Sequence, residues 1–594
     1  MDNDMNRCPL ITEFSMPLHL NCWQVAPPAP PSHVARLAPL HPIVVQVLYN
    51  RGITDQTEAT AFLDGGSDEG NPFDLPEMST AVTRLRQALR AGEPIAIYGD
   101  FDADGVTATV LLVQTLRALG GRTRPYIPHR VDEGYGLHEE ALTGLARDGV
   151  RVVVTVDCGI RALPQIAHAN RLGLDVIVTD HHSAGKQLPD AVAVIDPKRV
   201  DSHYPFSELA GVGVAYKLAQ ALLRSHRQSP VSEQEVRLSE NDLIDLVALG
   251  TIADMVPLMG ENRALVHRGL ERINQMKRPG IEALCRQGRV KTGQVSAASI
   301  GYTLGPRINA AGRLAHAKLA YQLLATQYPA EAEQLAGELD RLNRERRQIT
   351  FQVQERARQA ALDTADGSPL LFAADPGFPA GIVGLAASRL VDEFYRPAIV
   401  VEVGDKTSRG SARSIPEFNI IEAIDECAAM LIHHGGHAAA AGFTVPNEHL
   451  DELADKLREL AAEQLTGVEL APTLSVDAEL ELSQISWDLR RELDKLEPCG
   501  YANPQPLFLS RNVQARDQRA VGNDGNHLKL KLSNGHVTWD SIAFRQGEWI
   551  GKLPDRVDTV YHLEVNEWNG RRQLQLNVQD IRPAGQAHIP LCAP

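Results

Sequence analysis

The chain has 594 residues, of which 43% are hydrophobic and 23% are charged, and its formal net charge is −16. These proportions are ordinary for a globular protein and exclude a mainly disordered, collagen-like or coiled-coil chain, while the length predicts several domains. The acidic balance excludes a basic field over the whole surface. Any binding of nucleic acid must therefore depend on a local patch, or on cations held in an acidic site.

The chain also lacks the signals of export and of membrane insertion. No window of about 18 apolar residues occurs, and the acidic start MDNDMNRCPL has no apolar segment of a secretory signal. The seven cysteines are scattered and form no CxxC pair, which is typical of reduced thiols. We expect a cytoplasmic protein that does not bind a membrane.

Residues 1–40 are rich in proline and are predicted to be irregular, and 41–92 carry short helical patterns. From residue 95 the pattern is α/β. Short β-branched or apolar runs predict parallel strands, which are 95–99, 150–157, 174–180 and 191–197. Helices are predicted over 105–121 and over 241–258, the latter ending near Asp254.

A polar helix over 328–363 has charge on most faces and is predicted to bridge two domains. A second α/β unit covers 368–466, and after residue 471 alternating runs broken by glycine turns predict a small β-barrel. The predicted domains are a helical N-terminal segment, a parallel-sheet α/β domain, a connecting helix, a second α/β domain and an all-β domain, with boundaries 1–90, 91–327, 328–366, 367–467 and 468–594.

Acidic residues follow several of the predicted strands. Asp100, Asp102 and Asp104 come after the first strand, Asp157 ends the second, and His181 and His182 follow the third at the sequence Asp-His-His. The carboxyl ends of parallel strands share one edge, where ligands bind. We therefore expect these side chains to converge. Asp254, at the end of a later helix, is the remaining candidate.

Such a cluster predicts divalent cations. If the segment 100–104 is extended, its three carboxylates lie on one side, and two charges 4 Å apart repel by about 4 kcal/mol even at an effective dielectric near 20. Carboxylates with one or two imidazoles suit Mn²⁺ or Mg²⁺ better than zinc. A bridging Asp157 could hold two ions for a phosphoryl displacement. The alternative is structural: an isolated DxDG is usually a helix cap and an isolated His pair a surface pair.

Eight segments together resemble the DHH phosphoesterase superfamily and, within it, the RecJ family. Four resemble the superfamily motifs: GDFDADGVT (99–107), VTVDCG (154–159), VTDHH (178–182) and LGTIADMVPL (249–258). GGHAAAAGF (435–443) resembles the glycine-rich motif of the DHH-associated domain. Three more resemble RecJ segments: IPHRVDEGYGL (127–137), GPRINAAGRL (305–314) and EPCGYANPQPLF (497–508). The domain order is also that of RecJ, with a C-terminal OB-fold.

The resemblance implies a 5′→3′ exonuclease that acts on single-stranded DNA, uses two Mn²⁺ or Mg²⁺ ions, releases 5′-mononucleotides and works in DNA repair and recombination. By position, Asp102 and Asp157 hold one ion, and Asp104, Asp157, His181 and Asp254 hold the other. Asp100 is an outer candidate. Five residues are implied in catalysis: Asp157, His182, which lies beside the phosphoryl oxygens, and Arg307, Asn309 and Arg313, which face the scissile phosphate.

Other residues are implied in DNA binding. Arg130, Ser411 and Arg413 hold the terminal 5′-phosphate, and Gly435, Gly436 and His437 approach the DNA backbone. The barrel is expected to grip the strand through aromatic and basic side chains, although at least half of the aromatics are expected to fill its core; the candidates are Trp539, Phe544, Trp549, Trp568, Lys529, Lys531, Arg571 and Arg572. A single-strand-binding protein and a helicase are candidate partners, and a monomer is expected.

The chain departs from the family pattern at four positions. Tyr98 stands where many superfamily members have a metal-binding histidine, which questions the coordination of the first ion. Pro379 replaces a commoner Trp-His pair, so a DNA contact there is in doubt. Cys499 and Ala502 replace commoner Phe and Gly and are expected to be neutral to packing.

Two other functions compete with the exonuclease. A DHH phosphoesterase for short RNA, a nucleotide ester or a cyclic dinucleotide usually lacks the barrel and the N-terminal region, both of which are predicted here. A degenerate, non-enzymatic DHH protein that only binds single strands or a replication complex would have lost motif acids, and all of them are present here.

Overall fold

The computed structural model describes residues 21–66, 70–231, 235–364, 368–522, 525–568 and 570–585, without the side chains of Thr364 and Trp568. Cys8 and Cys592 lie outside the described residues, and the other five cysteines are free thiols. Within the described ranges no helix is both long and apolar enough to cross a membrane.

The N-terminal region is more ordered than its proline content predicts. Its elements are β1 Cys22–Val25, α1 Pro31–Arg36, α2 Pro42–Asn50, α3 Gln56–Leu63 and α4 Met78–Ala91. The helices predicted within 41–92 are confirmed, whereas the irregular lead-in is wrong for β1 and α1. β1 exists because it pairs in parallel with β12, Thr473–Val476, a partner that no local pattern reveals.

The first α/β domain contains a five-stranded sheet in the order β3-β2-β4-β5-β6, in which every pairing is parallel. The strands are β2 Pro94–Tyr98, β3 Arg122–Tyr126, β4 Val152–Val156, β5 Asp175–Thr179 and β6 Ala193–Ile195. The four predicted strands are confirmed. The edge strand β3 was not predicted because its sequence, RTRPY, is polar and has no apolar run. All five carboxyl ends lie at the same edge, as expected.

Ten helices lie between residues 99 and 328 within the described residues: α5 Ala103–Ala118, α6 Glu139–Arg147, α7 Leu163–Arg171, α8 Gly211–Gln228, α9 Ile244–Ala253, α10 Gly260–Asn274, α11 Pro279–Gln287, α12 Ala297–Ser299, α13 Gly305–Leu314 and α14 Lys318–Ala325. α5, α8 and α9 are buried over most of their length and pack against one another. They form the rigid layer that carries Asp104 and Asp254.

The helix α15 spans Pro329–Thr364 and connects the two α/β domains, which confirms the predicted bridge. Ala332, Ala336 and Leu339 belong to the hydrophobic core of the first domain. Val353 and Ala357, two turns or more further along, belong to the core of the second. One continuous helix therefore fixes the spacing of the two domains across the cleft between them.

The second α/β domain has a mixed five-stranded sheet in the order β10-β11-β9-β8-β7, and only the β7–β8 pairing is parallel. Its elements are β7 Leu371–Asp375, α16 Ala380–Phe394, β8 Ala398–Val403, β9 Thr407–Arg413, α17 Ile420–Glu426, β10 His433–His437, β11 Ala440–Pro446 and α18 Leu450–Leu465. The glycine-rich segment 435–443 forms the β10–β11 hairpin at the exposed edge of this sheet.

The C-terminal strands form a closed barrel, because β14 pairs with both β15 and β17. After β12, which pairs with β1 in a separate sheet, the C-terminal elements are β13 Ala478–Glu479, α19 Trp487–Asp494, β14 Phe508–Val521, β15 His527–Ser533, β16 Thr538–Ala543, β17 Arg556–Trp568 and β18 Arg571–Pro583. The predicted strands are confirmed, and β14 was missed because half of it is polar. Val44, Leu48 and Phe62 share the core of the barrel, so α2 and α3 pack on it. The domain boundaries remain predictions.

Candidate active site

The first acidic segment does not run extended to Asp104, contrary to expectation. Asp102 is the N-cap of α5, and its Oδ1 accepts hydrogen bonds from the amides of Asp104 (2.9 Å) and Gly105 (3.0 Å). The structural alternative, a helix cap, is therefore true of Asp102. It does not compete with metal binding, because the helical turn still directs Asp104 toward the cluster that contains Asp157 and His181.

Asp157 lies directly after β4 in a left-handed conformation, with φ 61°. A non-glycine residue in this region is strained, and such residues concentrate at functional sites. The neighbouring Gly211 has no room for a side chain, because a Cβ there would lie 2.8 Å from Asp157 Oδ1 and 2.9 Å from Asp104 Oδ2. This close approach of the backbone positions both carboxylates.

The carboxylate of Asp104 is held by the start of α8. Its Oδ2 accepts from the amide of Gly211 at 2.7 Å and its Oδ1 from that of Val212 at 2.8 Å. Free amides at a helix N-terminus favour a negative charge. Asp254 is the C-cap of α9 and lies 3.7 Å from His181 Nε2.

The predicted acids and histidines converge into three groups, and the candidate ligand atoms within each group lie within 4.8 Å of one another. The groups are Asp100–Asp102–Asp157, Asp104–His181–Asp254 and Asp157–His181–His182. Asp157 and His181 each belong to two groups, which suits a bridged pair of ions. Asp100, expected to be an outer residue, lies in the first group.

The cluster carries buried polar atoms that no protein group satisfies. Asp100 Oδ1, Asp157 Oδ1 and both ring nitrogens of His181 are buried without a hydrogen-bond partner. His181 Nε2 lies 3.0 Å from Asp157 Oδ1, but without hydrogen-bond geometry. Buried polar groups in native proteins are normally paired, with a bound ion as one exception. This donor set of carboxylates and imidazole fits Mn²⁺ or Mg²⁺.

Without bound cations, ionisation of the clustered carboxyl groups is unfavourable. Burial, followed by repulsion from neighbouring carboxylates, raises the pKa of Asp104 to about 7 and that of Asp254 to about 9, and raises the pKa of Asp157 well above its ordinary value. Burial and the neighbouring His182 lower the pKa of His181 to about 3, so this ring is neutral and can act as a ligand. Divalent cations would remove the repulsion.

His182 is held by two residues that sequence reasoning did not single out. Asp180 Oδ1 lies 2.7 Å from His182 Nδ1, and the hydroxyl of Tyr135 lies 3.2 Å from the same nitrogen. Although burial opposes the charged ring, the hydrogen bond that His182 donates to Asp180 raises the pKa of His182 above its ordinary value. Asp180 lies within the segment 178–182 and Tyr135 within 127–137. Their position between the motif residues is the signal that could have identified them.

A group of arginines lies beside the acidic cluster. Burial and then the charges of Arg130, Arg346 and Arg413 lower the pKa of Arg313 to about 9. Arg413 donates to Ser411 Oγ at 3.1 Å, and the guanidinium of Arg130 stacks 4.4 Å from the ring of Phe101. Arginines that repel one another within a partly buried site make a binding site for an anion such as phosphate. The structure thus brings Arg130, Arg313, Ser411 and Arg413 together.

Arg307 and Asn309 both make contacts within the protein. Arg307 pairs with Asp340 on α15, with Nη2 to Oδ1 at 2.9 Å, and donates to the carbonyl of Thr303. Asn309 Oδ1 accepts from the amide of Ala103 at 2.8 Å, next to the capping Asp102. In this structure the two side chains hold the frame of the site, and their predicted contact with the scissile phosphate stays a prediction.

The second domain faces the cluster across the cleft. Gly436 and His437, on the exposed strand β10, line a cavity of about 450 Å³ together with His182. The helix α16 begins after Pro379, and the carbonyl of Gly381 accepts from Arg313 at 3.0 Å. These contacts join the two sides of the cleft.

Two of the four departures have a structural account. Tyr98 is fully buried and its hydroxyl donates to the carbonyl of Gly136 at 3.1 Å, while burial raises its pKa, so the phenol stays neutral. Ala502 takes a left-handed conformation at φ 60°, where glycine is favoured. Ala502 therefore introduces strain that the commoner glycine avoids, contrary to the expectation of neutrality.

The barrel candidates divide as expected between core and surface. Trp539 and Trp549 pack against the barrel core, and Trp539 donates to the carbonyl of Leu482. Phe544 is 50% exposed, and Trp568 has its side chain outside the described residues. The basic candidates are at least partly accessible: Lys529, Lys531, Arg571 and Arg572. Lys531 pairs with Asp517, and Arg572 lies over Trp487, an exposed aromatic that was missed.

Comparison with known proteins agrees with this geometry. Family models match as the DHH family N-terminal domain over 94–251, the DHHA1 domain over 367–463 and the RecJ OB domain over 476–580. The chain is 38% identical over 565 residues to the single-stranded-DNA-specific exonuclease RecJ of Bacillus subtilis, covering 94% of this chain and 70% of that protein.

Solved structures give the same result. RecJ of Thermus thermophilus in complex with Mn²⁺ is 30% identical, with a TM-score of 0.81 over 94% of this chain and 79% of that one. The same protein in complex with Mg²⁺ gives 28% identity and a TM-score of 0.75, over 94% and 78%. Identity above 30% over most of both chains, together with three matching domains in the same order, shows that this chain belongs to the RecJ family of the DHH phosphoesterases.

Proposed function

We propose that this protein is an exonuclease specific for single-stranded DNA, which hydrolyses phosphodiester bonds in the 5′→3′ direction with two Mn²⁺ or Mg²⁺ ions. One observation carries the proposal: Asp157 and His181 each belong to two of the three groups of ligand atoms, and buried atoms of both residues have no hydrogen-bond partner in the protein. The Bacillus subtilis relative is a single-stranded-DNA-specific exonuclease, and the Thermus thermophilus structures are complexes with Mn²⁺ or with Mg²⁺.

The residues of the cluster divide the chemistry. Asp100, Asp102 and Asp157 would hold one ion, and Asp104, Asp157, His181 and Asp254 the other. Two such ions activate water and stabilise both oxygens of the displacement. His182, with Nδ1 fixed by Asp180, presents Nε2 as a hydrogen-bond donor to a phosphoryl oxygen. The raised pKa of His182 favours that protonated form.

Polarity follows from the arginine group. Arg130, Arg413 and Ser411 would bind the terminal 5′-phosphate, with Arg313 adding charge, so that the bond cut is the first one from that end. Each turnover then releases a 5′-mononucleotide. Gly435, Gly436 and His437 would contact the DNA backbone from the second domain, and Arg307 and Asn309 would keep the scissile segment in register. These roles are supported by convergence of the side chains on one cleft.

The wider setting is also a proposal. The barrel would retain the strand through Phe544 and the accessible basic side chains, and a helicase or single-strand-binding protein would supply it. A monomer suffices, since both sides of the cleft come from one chain. Free thiols at all five described cysteines support a cytoplasmic enzyme, and degradation of single strands suits DNA repair and recombination.

The test uses a single-stranded oligonucleotide labelled at its 3′ end, incubated with purified protein and Mn²⁺ or Mg²⁺. We expect a descending ladder that starts at the 5′ side, with duplex DNA and the Asp157→Ala variant inactive. An RNA strand tests selectivity. Hydrolysis of short RNA or a cyclic dinucleotide without cleavage of DNA would refute the proposal, and so would binding without cleavage.

A further inference from the structure

A cavity beside His182 has no ligand assigned to it so far. It has a volume of about 450 Å³ and lies between the two α/β domains, with the walls of the first domain coming from segments 135–137 and 159–165. The opposite wall is the β10 hairpin with His437. Cavities of this size typically hold small organic groups. Because His182 is one of its lining residues, the cavity lies next to the phosphate that the site would cleave.

The lining of the cavity suits a flat, aromatic group rather than a phosphate. Leu137, Ile160 and Ala162 give apolar surface, and glycine residues leave the backbone bare. The ring of Tyr135 is 53% exposed at the entrance and meets His182 edge-on, with 5.7 Å between ring centroids. The arginine group that would attract a phosphate lies elsewhere, around Arg313.

The cavity also has a few polar lining residues, which can orient a heterocycle. Gln165 and Ser183 offer side-chain donors and acceptors there, while Arg161 is engaged with the carbonyl of Ser183 at 2.8 Å. Amide and hydroxyl groups can rotate to pair with any base edge. Stacking on an aromatic is tolerant of sequence, because every base has a π-face.

We infer that this cavity is a nucleobase pocket, which takes the base of a nucleotide adjoining the scissile bond. The inference rests on the proposed exonuclease function and adds a source of selectivity to it. A base can enter between Tyr135 and His437 only when it is unpaired, so the pocket itself would discriminate against duplex DNA. Single-strand selectivity would then be set at one nucleotide.

The test varies the substrate and the enzyme together. Two single-stranded oligonucleotides carry one abasic unit, at the first or the second position from the 5′ end, and the rate of release of the first product is compared with that of the intact strand. We expect kcat/KM to fall about tenfold or more at one of the two positions, the scale of one stacked base. Equal rates for all three strands would overturn the pocket while leaving the exonuclease proposal standing.

The variant Ala162→Leu fills the pocket and tests the same point from the protein side. It should lower kcat/KM on the intact strand, and should change little on the abasic strand that already lacks the contact. Ala167→Leu is the matched control, because Ala167 lies on the exposed face of α7, the helix that begins directly after Ala162. An equal loss on intact and abasic strands would overturn the inference. If the wild-type protein cleaved none of the strands, the proposed exonuclease function itself would be refuted.

Discussion

The acidic cluster and Arg263 are both buried and charged, and they differ in whether protein groups satisfy their hydrogen bonds. The acidic cluster that includes Asp254 leaves several buried atoms without a partner. Arg263, nine residues further on, is fully buried, yet its five N–H groups all donate to backbone carbonyls, those of Phe62, Lys495, Leu496, Glu497 and Pro498. The first group is built to receive ions, and the second is complete without any.

The comparison teaches how to separate function from structure among buried charges. Arg263 joins α10 to α3 and to the segment that leads into the barrel, and its guanidinium stacks 3.8 Å from the ring of Phe62. Burial lowers its pKa only to about 10, so it stays charged. A buried charge whose hydrogen bonds are all made stabilises one arrangement of domains. A buried charge without partners lowers stability but leaves atoms free to bind a ligand.

The largest effect is expected from a substitution in the acidic cluster. Asp157→Asn should lower the rate of cleavage of a single-stranded oligonucleotide by about 10³-fold or more, because both ions lose a shared ligand. The same change should raise the melting temperature of the EDTA-treated protein, since it removes a buried carboxyl group whose ionisation the fold opposes. Asp148→Asn, at an exposed pair with Arg124, is the control. A lower melting temperature for Asp157→Asn would contradict the comparison.

At Arg263, whose hydrogen bonds are all made, we expect a substitution to lower the stability of the protein. Arg263→Met leaves five carbonyls without donors, and we expect the free energy of unfolding to fall by about 3–5 kcal/mol. Urea denaturation measures it, with Arg341→Met, at an exposed helix pair, as the control that should change by less than about 0.5 kcal/mol. A loss as small as that of the control would show that Arg263 is not a junction.

A smaller effect is expected where a satisfied group supports a reacting one. Asp180→Asn weakens the hold on His182, and we expect kcat to fall about 10- to 100-fold with little change in KM. Because Asp180 raises the pKa of His182, the alkaline limb of the kcat–pH profile should move to lower pH. An unchanged profile in a folded variant would mean that Asp180 acts only on the backbone.

The smallest effect concerns pH. Since the pKa of Asp104 is raised to about 7 and that of Asp254 to about 9, the folded metal-free protein keeps protons that the unfolded chain releases near pH 4. Stability therefore falls as pH rises from about 4 toward 9. We expect EDTA-treated protein to melt a few degrees lower at pH 8.5 than at pH 6, and Mn²⁺ to reduce the difference. Asp254→Asn should flatten it, and an identical slope in that variant would contradict the assignment.

The sequence by itself determined the fold class and most of the site. Continuous apolar runs identified the strands of the first sheet, and because parallel strands end at one edge, the acids after them had to meet. The motifs identified the family, its domain order and the residues Asp102, Asp157, His181 and Asp254. Local patterns carry this information because each depends on neighbours within a few residues.

Only the tertiary structure decided the rest. Pairing of β1 with β12, the contact of Asn309 with Ala103 and the pairing of Arg307 with Asp340 join distant segments, and no local pattern encodes them. The same holds for Tyr135 and for the base-sized cavity, which exists only where two domains face each other. The conformation of Asp157 and the environment of Arg263 likewise depend on packing, because burial, not residue type, decides whether a charge needs an ion or already has its partners.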